Sequence, residues 1–177
     1  MWLVRIARGG NVLAPGDGTD PVQFTDVKDV GDFALSLAER ERPGAYNVAG
    51  PTAGRMTFRE FLEALNAATG TKANLVWVSE EFLQRHGVRP FSNLAMWIPV
   101  RAARKPGFMQ INMTKALAAG LRFRPLQATA EDEFRSFKET MPRDYEFGTG
   151  KSNKGFSRAR ELELLAAWRA SVVRGMN

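Results

Sequence analysis

Residues 22 to 50, VQFTDVKDVGDFALSLAERERPGAYNVAG, change period twice, and this constrains the fold more than any other feature of the chain. VQFTDV alternates as a strand with Val22, Phe24 and Val27 inward. VGDFALSLAERER follows with helical spacing, and Asp29 stands where it can cap that helix. Pro43-Gly44 ends it, and AYNVAG reads as a further strand. A strand, a crossover helix of about a dozen residues and a second strand make the βαβ unit of a parallel sheet, so the predicted class is α/β.

The flanking segments fit that class. WLVRIAR has the apolar spacing of a short helix, with Gly9-Gly10 as its stop. It carries no Ser, Thr, Asp or Asn to cap its start, so it is either the tail of a longer helix or a short one held by packing. NVLAP is a predicted strand and GDGTDP a turn. Thr57 with Glu60 three residues on forms a capping box that opens FREFLEALNAATG, and Gly70 closes it. ANLVWV is a strand, and Ser79 caps EEFLQRHG. Residues 88 to 107 are rich in proline and irregular, with Phe91, Met96 and Trp97 reading as exposed. FMQI is a short strand, Asn112 or Thr114 caps KALAAG, and ATAEDEFRSFKET is a helix. Residues 141 to 156 form a flexible linker before a last helix from Ser157 to about Val173. The whole reads as a single domain over residues 1 to 177 with no internal repeat.

Composition removes several chemistries. The chain has no Cys and a single His, His86, so a disulfide framework, a thiolate metal site and a cluster of histidine ligands are excluded within one copy. His86 ends a helix and precedes Gly87, where an imidazole meets the helix C-terminus. No stretch approaches the roughly 20 apolar residues of a membrane span, and the opening MWLVRIARGG is too soon interrupted for a secretory signal, so a cytoplasmic protein with no membrane partner is expected. The net charge of +6 would suit a nucleic-acid partner, but the basic residues alternate with acids, as in EDEFRSFKE. A solvated basic surface is expected, not a nucleic-acid groove.

The candidate motifs are incomplete. GTGKSNKG has the Gly150-Lys151-Ser152 tail of a phosphate loop, but Tyr145 stands where the pattern needs its first glycine. No glycine cluster forms a dinucleotide fingerprint between strand and helix. Asp26 and Asp29 could pair for acid–base work, but across a strand end they are expected to point in different directions. Tyr46 and Tyr145 both lack a lysine four residues later.

Taken together, RIARGGNVLAPGDGTDPVQFTDVKDVGDFALSLAE, GAYNVAGPTAGRMTFREFLEAL, FMQINMTKALAAGLRFRPL and SRARELELLAAWRAS resemble the C-terminal half of the NAD-dependent epimerase/dehydratase group, the extended and atypical short-chain dehydrogenases. The resemblance spans nearly the whole chain. It implies partial Rossmann-like parallel sheet strands plus a small helical substrate-binding lobe, without the Gly-rich cofactor turn or the Tyr-x-x-x-Lys pair of the other half. No catalytic, cofactor-binding or metal residue is then expected in this chain, and NAD(P) belongs to the full-length relatives. Sugar-nucleotide epimerases of the group carry an Arg where Val22 stands, which argues against a nucleotide-sugar substrate. The substrate-proximal candidates are Gln23, Asp26 and Trp97, and the expected partners are a small molecule and either a separate Rossmann half or a second copy of the chain. A non-catalytic α/β binding or regulatory module using its basic surface is the alternative.

Overall fold

Helix α1, Trp2–Ala7, is short and has no side-chain cap, yet five of its six residues, Trp2 to Ile6, are buried. Packing supplies what propensity and capping do not. The computed structural model describes residues 1–50, 55–99, 109–140 and 155–175. The remaining elements are β1 (Asn11–Pro15), β2 (Pro21–Val22), α2 (Val27–Glu39), β3 (Met56–Thr57), α3 (Phe58–Thr69), β4 (Asn74–Val78), α4 (Glu80–Arg85), α5 (Thr114–Ala118), α6 (Leu126–Thr140) and α7 (Arg158–Gly175).

The chain is α/β, and its described strands form two two-stranded sheets. β1 and β4 run parallel, with Asn11 opposite Asn74 and Pro15 opposite Val78. β2 and β3 are antiparallel, Pro21 opposite Thr57. The parallel pairing predicted between VQFTDV and AYNVAG is replaced. Ladder pairing stops at Val22, and residues 45–50 belong to no strand; one backbone–backbone bond, Phe24 N–H to Gly50 C=O at 3.1 Å, and Gly50 N–H donating to Thr25 Oγ1 join the two stretches. Strand character needs a neighbour on at least one edge, and neither stretch has a described neighbour that completes a ladder. The predicted strand FMQI is absent for the same reason at residues 109–111, and Phe108 lies outside the described residues.

The principal core gathers Ile6, Val12, Leu13, Phe58, Leu62 and Trp97 from α1, β1, α3 and the 88–99 segment, and all six are almost fully buried. Leu126, Ala130 and Phe134, at helical spacing on α6, pack against it. A second cluster holds Phe33, Ala49, Met113, Ala116, Ala119 and Leu121, so α5 and residues 45–50 are fastened to α2 and not to the main sheet.

Local signals act as read at α3. Thr57 accepts from Glu60 N–H while the Glu60 carboxylate accepts from Thr57 N–H, and Gly70 closes the helix at φ 68°. Thr57→Ala should cost about 1 kcal/mol in urea unfolding, the usual worth of a cap. At Gly18, φ is +85° and an added Cβ would lie 2.8 Å from the Trp77 ring, so only glycine lets this turn sit on the indole.

α7 is held to β1 by charge as well as by Leu164 and Leu165. The Glu161 carboxylate accepts from Arg5 at 2.5 Å, from Leu13 N–H at 2.9 Å and from Arg158 at 2.9 Å, and both Arg5 and Glu161 are buried. Arg5 also donates to Leu13 C=O. Its Nε and Nη1 have no hydrogen-bond partner, but the guanidinium lies 4.6 Å from the Trp2 ring centre and 4.9 Å from that of Phe156. Cation–π contact on two aromatic rings offsets part of the missing hydrogen bonding.

Candidate functional site

The site is built where β2 gives way to α2. Asp26 keeps extended backbone angles and its carboxylate accepts from Lys28 N–H, so it, and not Asp29, caps a helix that begins at Val27. The helix starts three residues earlier than the periodicity suggested, and this turns Val27 outward to 80% exposure. Asp29 becomes a buried residue of the first turn. An N-cap and a residue three positions on share one side of a helix start, so the two aspartates converge instead of pointing apart.

They converge on Arg124. Its Nε donates to Asp29 at 2.9 Å and lies 3.4 Å from Asp26, while Nη1 is 3.6 Å from Asp132. Thr129 donates to Asp26 at 2.7 Å, and Lys28 Nζ pairs with Asp132 at 2.5 Å. Arg124 precedes Pro125, whose carbonyl accepts from Ala128 N–H as α6 opens, so the network joins the starts of two helices. Partial burial pushes the Asp26 carboxyl up, but hydrogen bonds from Thr129 and Lys28 N–H, together with Arg124, outweigh it and hold the group below its ordinary range. Lys28 does the same for Asp132, and the Asp29 carboxylate raises Arg124 further. These are fixed charges at neutral pH. Asp26 is therefore an anion holding a helix start, not a proton donor. Thr129→Val should raise the Asp26 carboxyl more than Arg124→Gln, since its hydrogen bond is the larger cause of the lowering, observable by carbon-detected NMR titration.

Beside this network lies a cleft of about 610 Å³. Trp2, Phe24, Phe61, Leu65, Leu126 and Phe137 supply apolar wall, and Thr25, Asp26, Lys28, Thr129, Asp132 and Ser136 supply polar positions. Volume and composition match those of small-molecule sites.

Of the three substrate-proximal candidates, Asp26 alone lines this cleft. Trp97 is a correction to its reading as exposed: its indole is fully buried in the principal core, with Nε1 donating to Asp20 at 2.8 Å. A large ring with one polar edge gains more by filling the core than by covering a loop, and Asp20 satisfies that edge. Phe91 of the same segment is exposed, at 61%. Gln23 is half-buried, and its Oε1 is buried without a partner. If Oε1 serves only the fold, Gln23→Met should stabilise by about 1 kcal/mol in urea titration, because an unsatisfied acceptor is removed.

His86 is the C-cap of α4; its ring stacks on Phe82 at 3.9 Å, and Nδ1 lies 2.8 Å from Phe82 C=O. Tyr46 packs on Phe33 beneath Lys115. Tyr145, Lys151 and Ser152, with the greater part of the predicted linker, lie outside the described residues. Among the described residues no group of three or more His, Asp or Glu side chains could hold a metal ion, and no helix is long and apolar enough to cross a membrane. Arg124, Thr129 and Asp132 are not legible in the sequence, because Arg124 and Thr129 reach Asp29 and Asp26, and Asp132 reaches Lys28, across about a hundred residues with no local pattern to mark them. No protein-family model matches the chain, and no curated protein matches it.

Proposed function

We propose that this chain is the substrate-binding lobe of an NAD(P)-dependent epimerase/dehydratase or reductase-like assembly, and that it does not turn over alone. The observation that carries this reading is residues 45–50. Tyr46 and Val48 are half-buried while Ala45 and Asn47 are exposed, the alternation of a strand, yet among the described residues the segment forms no ladder. Lys115, Met113 and Thr25 bond the backbone of Ala45, Ala49 and Gly50, and a strand-like stretch outside any described ladder can still accept an added strand at Tyr46–Val48. The segment lies beside Phe24–Thr25, through the Phe24–Gly50 bond and Gly50 N–H donating to Thr25 Oγ1, and so close to the cleft. A partner that adds strands here, whether a separate Rossmann half or a second copy, would border the cleft, and a nicotinamide held by that partner would supply the hydride.

Light scattering should find the chain associated, with itself or with a nucleotide-binding partner, and hydrogen exchange at the amides of Tyr46–Val48 should slow on association. A monomer whose Tyr46–Val48 amides are already protected would sink the proposal. So would calorimetry showing tight, stoichiometric NAD binding by the chain alone.

A further inference from the structure

The charges around the cleft bear on what could enter it. Lys28 is the one Lys or Arg side chain among the described residues that line it, and Asp132 holds its ammonium. Arg124, behind the wall, is committed to Asp29, Asp26 and Asp132, and Arg135 also pairs with Asp132 at 3.0 Å. Three carboxylates line the cleft, Asp26, Asp132 and Glu133. An entering phosphate or carboxylate would therefore have to break an existing ion pair and would meet like charge at the same wall. A cation would find Asp26 and Asp132 already neutralised, and would meet only Glu133, at an exposed position.

The remaining surface is aromatic and aliphatic. Phe24 and Phe61 stand 5.4 Å apart at a tilt of 58°, and Trp2, Leu65, Leu126 and Phe137 complete the wall. Such walls gain most from a flat apolar body, whose ring edges and faces pack against theirs. The Ser136 and Thr25 side chains can orient a hydroxyl or carbonyl on that body.

From this geometry we infer that the cleft binds an uncharged, ring-bearing small molecule and excludes phosphorylated or carboxylated ones. The inference rests on the reading of this cleft as the substrate side of the lobe.

Two fluorescent probes with the same ring system separate the cases: neutral N-phenylnaphthylamine and its anionic relative, anilinonaphthalenesulfonate. Titrated against the full chain, the neutral probe should bind one to one, and the anion about fivefold weaker, the ratio that displacing one largely exposed ion pair would impose. Glu133→Lys, at an exposed position on the cleft wall, should narrow that ratio by strengthening the anion. Ser136→Trp, which places an indole at the mouth, should weaken the neutral probe by about tenfold. In the unsubstituted chain, methyl resonances of Leu65 and Leu126 should shift on adding the neutral probe, a readout that depends on no variant folding. Equal affinity for both probes with no response to Glu133→Lys would overturn the inference, as would unmoved Leu65 and Leu126 methyls. These readouts need no partner and no NAD. Success here with an unassociated, NAD-binding chain would sink the lobe assignment alone, and failure here with an associated chain would sink the ligand class alone.

Discussion

Glu161→Ala is expected to cost about 3–5 kcal/mol, because it leaves the Arg5 guanidinium charged and buried without its carboxylate. It also removes the acceptor of Leu13 N–H in the middle of β1 and one carboxylate contact of Arg158. The loss should appear as a lower urea midpoint with little change in slope. Replacing both partners, Arg5→Leu with Glu161→Leu, should recover much of it, since an apolar pair restores packing without a stranded charge. A double variant as unstable as Glu161→Ala would show that the backbone contacts, not the ion pair, dominate. The pair also sets a pH dependence. Burial pushes the Glu161 carboxyl up, but the Arg5 charge and hydrogen bond, Leu13 N–H and Arg158 outweigh it, and its folded pKa falls below the ordinary 4.5. A carboxyl with a depressed folded pKa contributes its full stability above the unfolded value and loses it as pH falls through the folded one. Acid titration of the parent chain should therefore weaken it progressively below pH 4.5, and the Arg5→Leu, Glu161→Leu double variant should lack this component.

Trp97→Ala is expected to cost about 3–5 kcal/mol, the usual range for removing a large aromatic side chain from a core. The indole is fully buried among the principal core residues, and Asp20 would lose a donor at 2.8 Å. Trp97→Phe should lose about 1–3 kcal/mol, which separates the hydrogen bond from the ring. Thermal melts by circular dichroism would read both. If Trp97→Ala melted with the parent and altered only ligand binding, the ring would belong to a site and the core assignment would be wrong.

Some of this architecture is written locally in the chain and some is not. The α3 capping box, the Gly70 terminator, Ser79 ahead of α4 and the strands at NVLAP and ANLVWV are legible because each depends on residues a few positions apart. The pairing of β1 with β4 is not, because their register is fixed by packing across some sixty residues. AYNVAG has strand composition and alternating burial, but composition cannot say whether a neighbour stands beside it. The helix start at Val27 was misplaced by three residues because VQFTDVKDV offers two aspartates with equal capping chemistry. Asp29 is instead held in the first turn by Arg124, 95 residues away, a contact that no local pattern marks. Trp97 misled for a related reason: a proline-rich segment reads as surface, and burial of its indole depends on an acceptor at Asp20 that lies 77 positions earlier. Of the cleft, the Phe24–Lys28 wall could be suspected from the strand-to-helix change. The α6 wall could not.

The contact between Glu161 and Leu13 spans 148 residues and that between Glu161 and Arg5 spans 156. During synthesis, β1 and α1 leave the ribosome long before the carboxylate that neutralises Arg5 exists. The nascent chain must keep a guanidinium solvated at what will become its interior until the segment around residue 161 emerges. Final consolidation is thus deferred until that segment has emerged, and a ribosome stalled before that point would hold a product with an unsealed core, a ready substrate for holdase chaperones or proteases.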